Sequence, residues 1–281
     1  MTGYTIHRKY GPKNKVHKLF LCSDLHLDAL SCDIELLKSE LDEASAQGAD
    51  IAIGGDVFDA LLPGDKKRYT AAGDPFHTDQ NLNEAVKKAS AFLKPYAKNI
   101  VAIGHGNHET SVMKFNSFDP VDALIYILSQ QDGVDIKPLH YTGFLRYSFG
   151  YESGNGSRTH TIYFNHGQGA TAEISKGLIM VDRHRKKAVA DLYWFGHTHT
   201  KVVLPSENVI YMDSFGQLKE KTVKAVITGC YNKVFYDSTG KQASVMYGEE
   251  RMRTNQATGG AMVIYTNEPK SVHPLRVQVL V

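Results

Sequence analysis

Short apolar runs recur along this chain, and five of them stop at small groups of Asp, Asn, His and Gly. Residues 16–22 are mostly apolar and end at Ser23-Asp24, the pattern of a buried strand. Residues 33–46 have helical spacing, with Ile34, Leu36, Leu37, Leu41 and Ala44 on one broad face. Gly48-Ala49-Asp50 punctuates that helix, and residues 51–53 form a short strand that delivers Gly54-Gly55-Asp56. Residues 60–80, rich in Gly, Pro, Lys and Asp, read as an irregular insertion. Residues 82–94 form a second helix, closed by Pro95. Residues 99–103 form a strand running into Gly104 to Glu109, and residues 121–130 a third helix. Strand and helix in alternation predict an α/β fold.

After Gly133 the pattern changes. Residues 141–149 and 161–164 read as strands, with Gly154-Asn155-Gly156 as a turn between them. Residues 171–189 are a helix candidate, and residues 191–195 an apolar strand ending at Gly196-His197. Beyond 201 the chain is mostly β, with strands expected at 202–204, 209–211, 224–227, 242–246, 261–265 and 275–281. Residues 216–281 carry little recognisable chemistry and are expected to finish the second sheet, with Tyr231, Tyr247 or Arg251 as candidates for a substrate rim.

Composition narrows the class. The chain has 281 residues, 42% hydrophobic and 22% charged, which suits one sizeable core. A single domain over 1–281 is expected, with a motif-bearing core from about 17 to about 215. A net charge of +2 gives no global basic field that demands nucleic acid. Three cysteines, Cys22, Cys32 and Cys230, make a disulfide framework an unsuitable reading. Residues 1–18 are polar and basic with no apolar leader segment, and no run reaches the length of a membrane span. A cytoplasmic protein with no membrane partner is expected.

The groups at the ends of the apolar runs carry the chemistry. They are Asp24-Leu25-His26, Gly55-Asp56-Val57-Phe58-Asp59, Gly106-Asn107-His108-Glu109, His166-Gly167 and Gly196-His197-Thr198-His199. Asp, Asn and His offer oxygen and imidazole ligands that suit Mn, Fe, Zn or Ni. Two divalent ions roughly 3.5–4 Å apart clamp the attacking and leaving oxygens of an in-line displacement at phosphorus, and a water shared between them becomes a hydroxide nucleophile near neutral pH. Holding two cations that close calls for a bridging ligand, and a carboxylate also cancels charge. Asp24 and His26 are two apart at a strand end, so an extended backbone would point both the same way. The same logic applies to His197 and His199. Asp28 reads as a turn or cap residue, His105 as structural, and Asp59 equally well as a cap.

The five blocks together resemble the calcineurin-like metallophosphoesterase superfamily. The resemblance implies two β-sheets sandwiched between helices. It implies that Asp24, His26, Asp56 and His199 hold one ion, and that Asp56, Asn107, His166 and His197 hold the other, with Asp56 bridging. The cofactors implied are two divalent metal ions, Mn first, with Fe, Zn, Ni or Mg as alternatives. His108 would act on the leaving oxygen as general acid or charge stabiliser, oriented by Asp59, with Asn107 beside it. A histidine suits that task because its reference pKa is about 6.5.

Substrate class rests on finer features. The protein phosphatase branch has Arg at the positions of Ala60 and His105, and those side chains grip a monoester phosphate. Their absence disfavours a protein phosphatase. The Asp-Leu-His and Gly-Asp-Val-Phe-Asp forms look like the DNA-repair exonuclease branch. The run from Pro63 to Tyr69, His166-Gly167-Gln168-Gly169, and Ala190-Asp191-Leu192-Tyr193 are similar to phage and prophage phosphoesterases. The expectation is hydrolysis of a phosphodiester, with DNA or RNA as candidate partner, in a bacterial or phage-infected cell. A phosphomonoesterase or a non-catalytic metal-bound scaffold are the alternatives. Lys66-Lys67-Arg68, and Arg183, Arg185, Lys186 and Lys187, read either as solvated faces or as phosphate contacts.

Overall fold

The alternation in β2 (Val16–Cys22) sends Leu19 and Leu21 to one side and Phe20 and Cys22 to the other, and all four are buried. A strand buried on both faces belongs in the middle of a layered structure. The computed structural model describes residues 1–10, 15–29, 31–60, 81–151, 157–169, 175, 177–233, 257–268 and 275–281. One sheet has the order β12 (Leu275–Leu280), β11 (Ala261–Asn267), β2, β3 (Asp50–Gly54), β4 (Ile100–Gly104) and β5 (Lys137–His140). In it β2 to β5 run parallel, and β11 and β12 close one edge antiparallel. The other sheet has the order β1 (Thr2–Tyr10), β6 (Thr142–Tyr151), β7 (Ser157–Asn165), β8 (Leu192–Phe195), β10 (Leu218–Ile227) and β9 (Val202–Met212).

The two sheets face each other across Leu19, Leu21, Ala52 and Ala102 on one side and Leu145, Tyr147, Ile162, Phe164 and Trp194 on the other. The outer face of the first sheet is covered by α1 (Ile34–Ala46), α2 (Asn81–Leu93) and α4 (Pro120–Leu128). α5 (Leu178–Arg185) packs Val181 on the outer face of the second, against Tyr163, Tyr193 and Phe195. The molecule is thus two mixed sheets sandwiched between helices, as expected. Buried Asp50 ties the sheets together, accepting from Arg8 at 2.6 Å and from Tyr147 at 2.9 Å, with His17 Nε2 at 2.9 Å. No helix among the described residues is long and apolar enough to cross a membrane.

Several elements differ from expectation. β1 lies in the polar N-terminal stretch, where it pairs in parallel with β6 from Thr2 to Tyr10. Only Ile6 and Tyr10 of that edge strand are buried, so its hydrophobic signal is weak. β5 was also unmarked. The two short strands at 202–204 and 209–211 are one strand, β9. The chain beyond 216 does not finish one sheet: β10 enters the second sheet between β8 and β9, while β11 and β12 extend the first. The helix expected at 171–189 is described only as Leu178–Arg185. The strand at 242–246, the turn at 154–156, Lys66-Lys67-Arg68, Tyr247 and Arg251 lie outside the described residues.

Candidate metal centre

The three parallel strands β2, β3 and β4, and β7 and β8 of the facing sheet, each end beside the same buried spot. Asp24, His26, Asp56, His197 and His199 all have positive φ, between 47° and 66°. That region costs a residue with a side chain roughly 1–2 kcal/mol, and such strain collects at functional sites. This corrects the extended geometry expected for Asp24 and His26. β2 ends at Cys22, and left-handed residues curl the chain so that both side chains converge. His197 and His199 do the same beyond β8. The curled segments are laced together: Asp24 N donates to Gly55 O at 2.9 Å, His26 N to Asp56 O at 3.1 Å, and Leu27 N to Val57 O at 2.9 Å.

Two glycines make the approach possible. Gly55 has φ +82°, and a Cβ there would stand 2.4 Å from the His105 carbonyl carbon. A Cβ on Gly106 would stand 2.0 Å from Asp56 Oδ1. Only the lack of a side chain lets these backbones meet.

Three ligand sets result, each with its atoms within 4.8 Å of one another: Asp24, His26 and His199; His26, Asp56 and His108; and Asp56, His166 and His197. Asp56 and His26 each belong to two sets. Asp56 Oδ2 lies 3.1 Å from His166 Nε2 and 3.8 Å from His108 Nε2. Asn107, at the start of α3 (Asn107–Asn116), joins the last set, its Oδ1 2.6 Å from His197 Nδ1 and 3.2 Å from His166 Nε2. All seven ligand candidates therefore meet in one place.

Backbone carbonyls set the imidazoles. His166 Nδ1 donates to Gly54 O at 2.8 Å, which turns Nε2 inward. His197 Nε2 donates to Gly169 O at 3.1 Å, which leaves Nδ1 as an acceptor facing the Asn107 carbonyl oxygen. Two acceptors that close call for a proton or a cation between them. His26 is buried; its Nδ1 faces Asp59 Oδ1 at 3.3 Å, and its Nε2 has no hydrogen-bond partner among the described residues. Burial of polar atoms without partners costs free energy that a ligated cation would recover. The donor set, carboxylate, amide oxygen and imidazole, suits divalent transition metals.

The charges agree. Burial would lower the pKa of His26 and His166, but the Asp59 and Asp56 carboxylates outweigh it and raise His26 to about 9; for His166, Asp56 and Asp24 raise it to about 9. Burial would raise Asp56, but His166 and His108 hold it well below the usual carboxylate range. The carboxylates of Asp24, Asp56 and Asp59 thus favour positive charge on the groups around them.

His108 lies at the edge of this cluster, in the set with His26 and Asp56. Its Nδ1 is 2.6 Å from the Asp59 carbonyl oxygen and 3.3 Å from Asp59 Oδ1. Its backbone N–H donates to Asp56 Oδ1 at 3.0 Å. Asp28 accepts from the N–H groups of Asp59 at 2.5 Å and Ala60 at 2.9 Å, so it caps the turn that carries Asp59. His105 is buried and faces the Asp119 carboxylate at 2.8 Å, a link from β4 to the start of α4.

Glu109 is a participant that carried no role in the sequence. Its buried carboxylate accepts from Gly106 N at 2.7 Å, Phe58 N at 3.0 Å and Asp56 N at 3.1 Å. It starts α3 and pins the Asp56 turn at once. A Glu three residues after Gly106 is a helix-start signal, and it marks α3, which periodicity did not. Tyr231, considered for the rim, is instead fully buried, with its hydroxyl on Glu40 at 2.5 Å. Of the basic stretch, Arg185 pairs with Glu207 at 2.6 Å and Lys186 with Asp182 at 2.8 Å.

No protein-family model and no curated protein matches the chain. Solved structures align with it over most of its length. A conserved uncharacterized protein of Streptococcus pneumoniae, described as a predicted phosphoesterase, aligns over 94% of this chain and 89% of its own at 12% identity, TM-score 0.33. GAP50, the anchor in the inner membrane complex of Plasmodium, aligns over 94% and 88% at 10% identity, TM-score 0.47. A metallophosphoesterase from Sphaerobacter thermophilus aligns over 94% and 87% at 13% identity, TM-score 0.33. All three TM-scores are below 0.5, and the chemistry below rests on the site alone.

Proposed function

We propose that this chain is a two-metal phosphoesterase of the calcineurin-like superfamily that cleaves a phosphodiester. The observation that carries the proposal is the convergence of Asp24, His26, Asp56, Asn107, His166, His197 and His199 on one buried spot, with Asp56 in two ligand sets. Asp24, His26, Asp56 and His199 would hold one ion, and Asp56, Asn107, His166 and His197 the other. When bound, divalent ions supply the positive charge that offsets charge building on the phosphoryl oxygens and acidify a nucleophilic water.

The protein's own groups do the rest. Glu109 holds the Asp56 backbone N–H, and the His108 backbone N–H donates to the Asp56 carboxylate. His108, held at Nδ1 by the Asp59 carbonyl, directs Nε2 toward the site. As an imidazolium it can give that proton to the departing oxygen, with the Asp59 and Asp56 carboxylates near enough to support the charge.

The diester preference is supported by what stands at two positions. Ala60 is buried, and His105 is buried against Asp119, so neither offers the guanidinium that a doubly charged monoester phosphate needs. Nucleic acid is the first diester class to try. The test is a panel with Mn and with a chelator: bis-p-nitrophenyl phosphate, p-nitrophenyl phosphate, single-stranded and duplex DNA, and nucleotides. Mn-dependent turnover of the diester at least equal to the monoester is expected. Strong monoester preference with no nuclease activity would replace the diester reading by a phosphatase, and no turnover of any substrate by metal-loaded protein would favour a scaffold.

A further inference from the structure

Behind Asp24 stands a line of polar side chains that belong to none of the ligand sets. Ser23 Oγ donates to Asp24 Oδ2 at 2.5 Å. Ser23 Oγ and Thr228 Oγ1 are 2.7 Å apart. Trp194 Nε1 donates to Thr228 Oγ1 at 3.2 Å, and the Phe195 carbonyl oxygen lies 3.1 Å from the same hydroxyl. Ser23, Asp24, Trp194 and Thr228 are all completely buried, so no bulk water completes these bonds.

Counting protons gives the line a direction. An indole N–H only donates, an ionised carboxylate only accepts, and each hydroxyl has one proton. Ser23 spends its proton on Asp24, so the Thr228 proton must serve Ser23, the shorter of its two contacts. The bonds then run from Trp194 to Thr228 to Ser23 to Asp24 Oδ2. His197 N also donates to that oxygen, at 3.0 Å, and to Oδ1 at 3.1 Å. Asp24 Oδ1 is the oxygen that faces the centre, 3.3 Å from His199 Nε2 and 4.0 Å from His166 Nε2.

We infer that Trp194, Thr228 and Ser23 are positioning residues for Asp24: their hydrogen-bond line holds Oδ2 back and presents Oδ1 to the cation of the Asp24–His26–His199 set. The inference rests on the metal-centre proposal above. It gives a role to the chain just beyond β10, which carries no ligand motif. Tyr231 N adds a backbone bond to Asp24 O at 3.1 Å, so the same segment fixes both ends of the residue.

The test is a calorimetric Mn titration of metal-stripped wild type, Thr228→Val and Thr228→Ser. Val keeps the shape and loses the hydroxyl; Ser keeps the hydroxyl and loses the methyl. Partners behind a ligand are typically worth about 10–100-fold in metal affinity, so Thr228→Val should weaken one of the two sites by that factor and leave the other unchanged. Thr228→Ser should bind like wild type. Ser23→Ala should reproduce the one-site loss if Thr228→Val fails to fold. Unchanged binding at both sites in the hydroxyl-free variants would overturn the inference, as would a loss in Thr228→Ser equal to that in Thr228→Val, which would mean packing alone. Wild type that takes up no Mn would instead overturn the metal centre itself.

Discussion

His108 and Asp59 are joined through the main chain. The imidazole Nδ1 sits 2.6 Å from the Asp59 carbonyl oxygen, closer than the 3.3 Å to the Asp59 carboxylate, which also lies 3.3 Å from His26 Nδ1. A carbonyl cannot be removed by mutating the side chain. Asp59→Asn should therefore lose much less activity than His108→Ala, for which a loss of roughly 10²–10⁴-fold is expected with metal retained. The His108→Ala loss should shrink on p-nitrophenyl esters, whose leaving group needs no proton. Rates on esters of graded leaving-group pKa check both points; equal losses across the series would make His108 a charge stabiliser and not an acid.

Glu109→Ala should destabilise the fold itself. Three backbone N–H groups, those of Gly106, Phe58 and Asp56, would lose their acceptor in a buried place. Leaving a buried donor unmet costs about 1–3 kcal/mol, so a loss of about 3 kcal/mol or more is expected in urea unfolding of the metal-stripped protein. A loss under about 0.5 kcal/mol, typical of a surface change, would show that the turn does not depend on this carboxylate.

The stability of the stripped protein should also fall with acid in a window set by His160. Its ring is buried against Tyr265, and burial lowers its pKa from 6.5 to about 4. Between these values the unfolded chain binds the proton and the folded one does not, so stability falls as pH falls from 6.5 to about 4, by at most about 1.4 kcal/mol per unit. Below that both states are protonated and the contribution is flat. Urea midpoints of wild type and His160→Gln across this range check it: the variant should show the shallower slope, and identical slopes would contradict it.

The ligand candidates were legible because metal-binding chemistry restricts such residues to a few types placed where apolar runs end. Asp24, His26, Asp56, Asn107, His197 and His199 sit in short motifs at those ends, whereas His166 was singled out only through the resemblance that ties the five blocks together. Their backbone was not legible, since extended and left-handed geometry leave the same letters in the chain, and here the left-handed form holds at five of the seven. β2, whose run is apolar on both faces, was marked to its ends. β1 and β5 were not: an edge strand with one solvated face, and a four-residue strand holding Pro138, carry too little hydrophobic signal. Ser23, Thr228 and Trp194 left no trace because a lone hydroxyl or indole has no spacing rule; only the fold brings Thr228 within 2.7 Å of Ser23.

The measurement that bears most directly on the metal centre is elemental analysis of the purified chain after Mn reconstitution and removal of free metal, with wild type beside Asp56→Asn. Asp56 is shared between two ligand sets, so wild type should hold about two ions per chain and Asp56→Asn should lose occupancy at both sites. No more than trace metal in the wild type would contradict the metal centre, and loss of only one ion in Asp56→Asn would contradict the bridge.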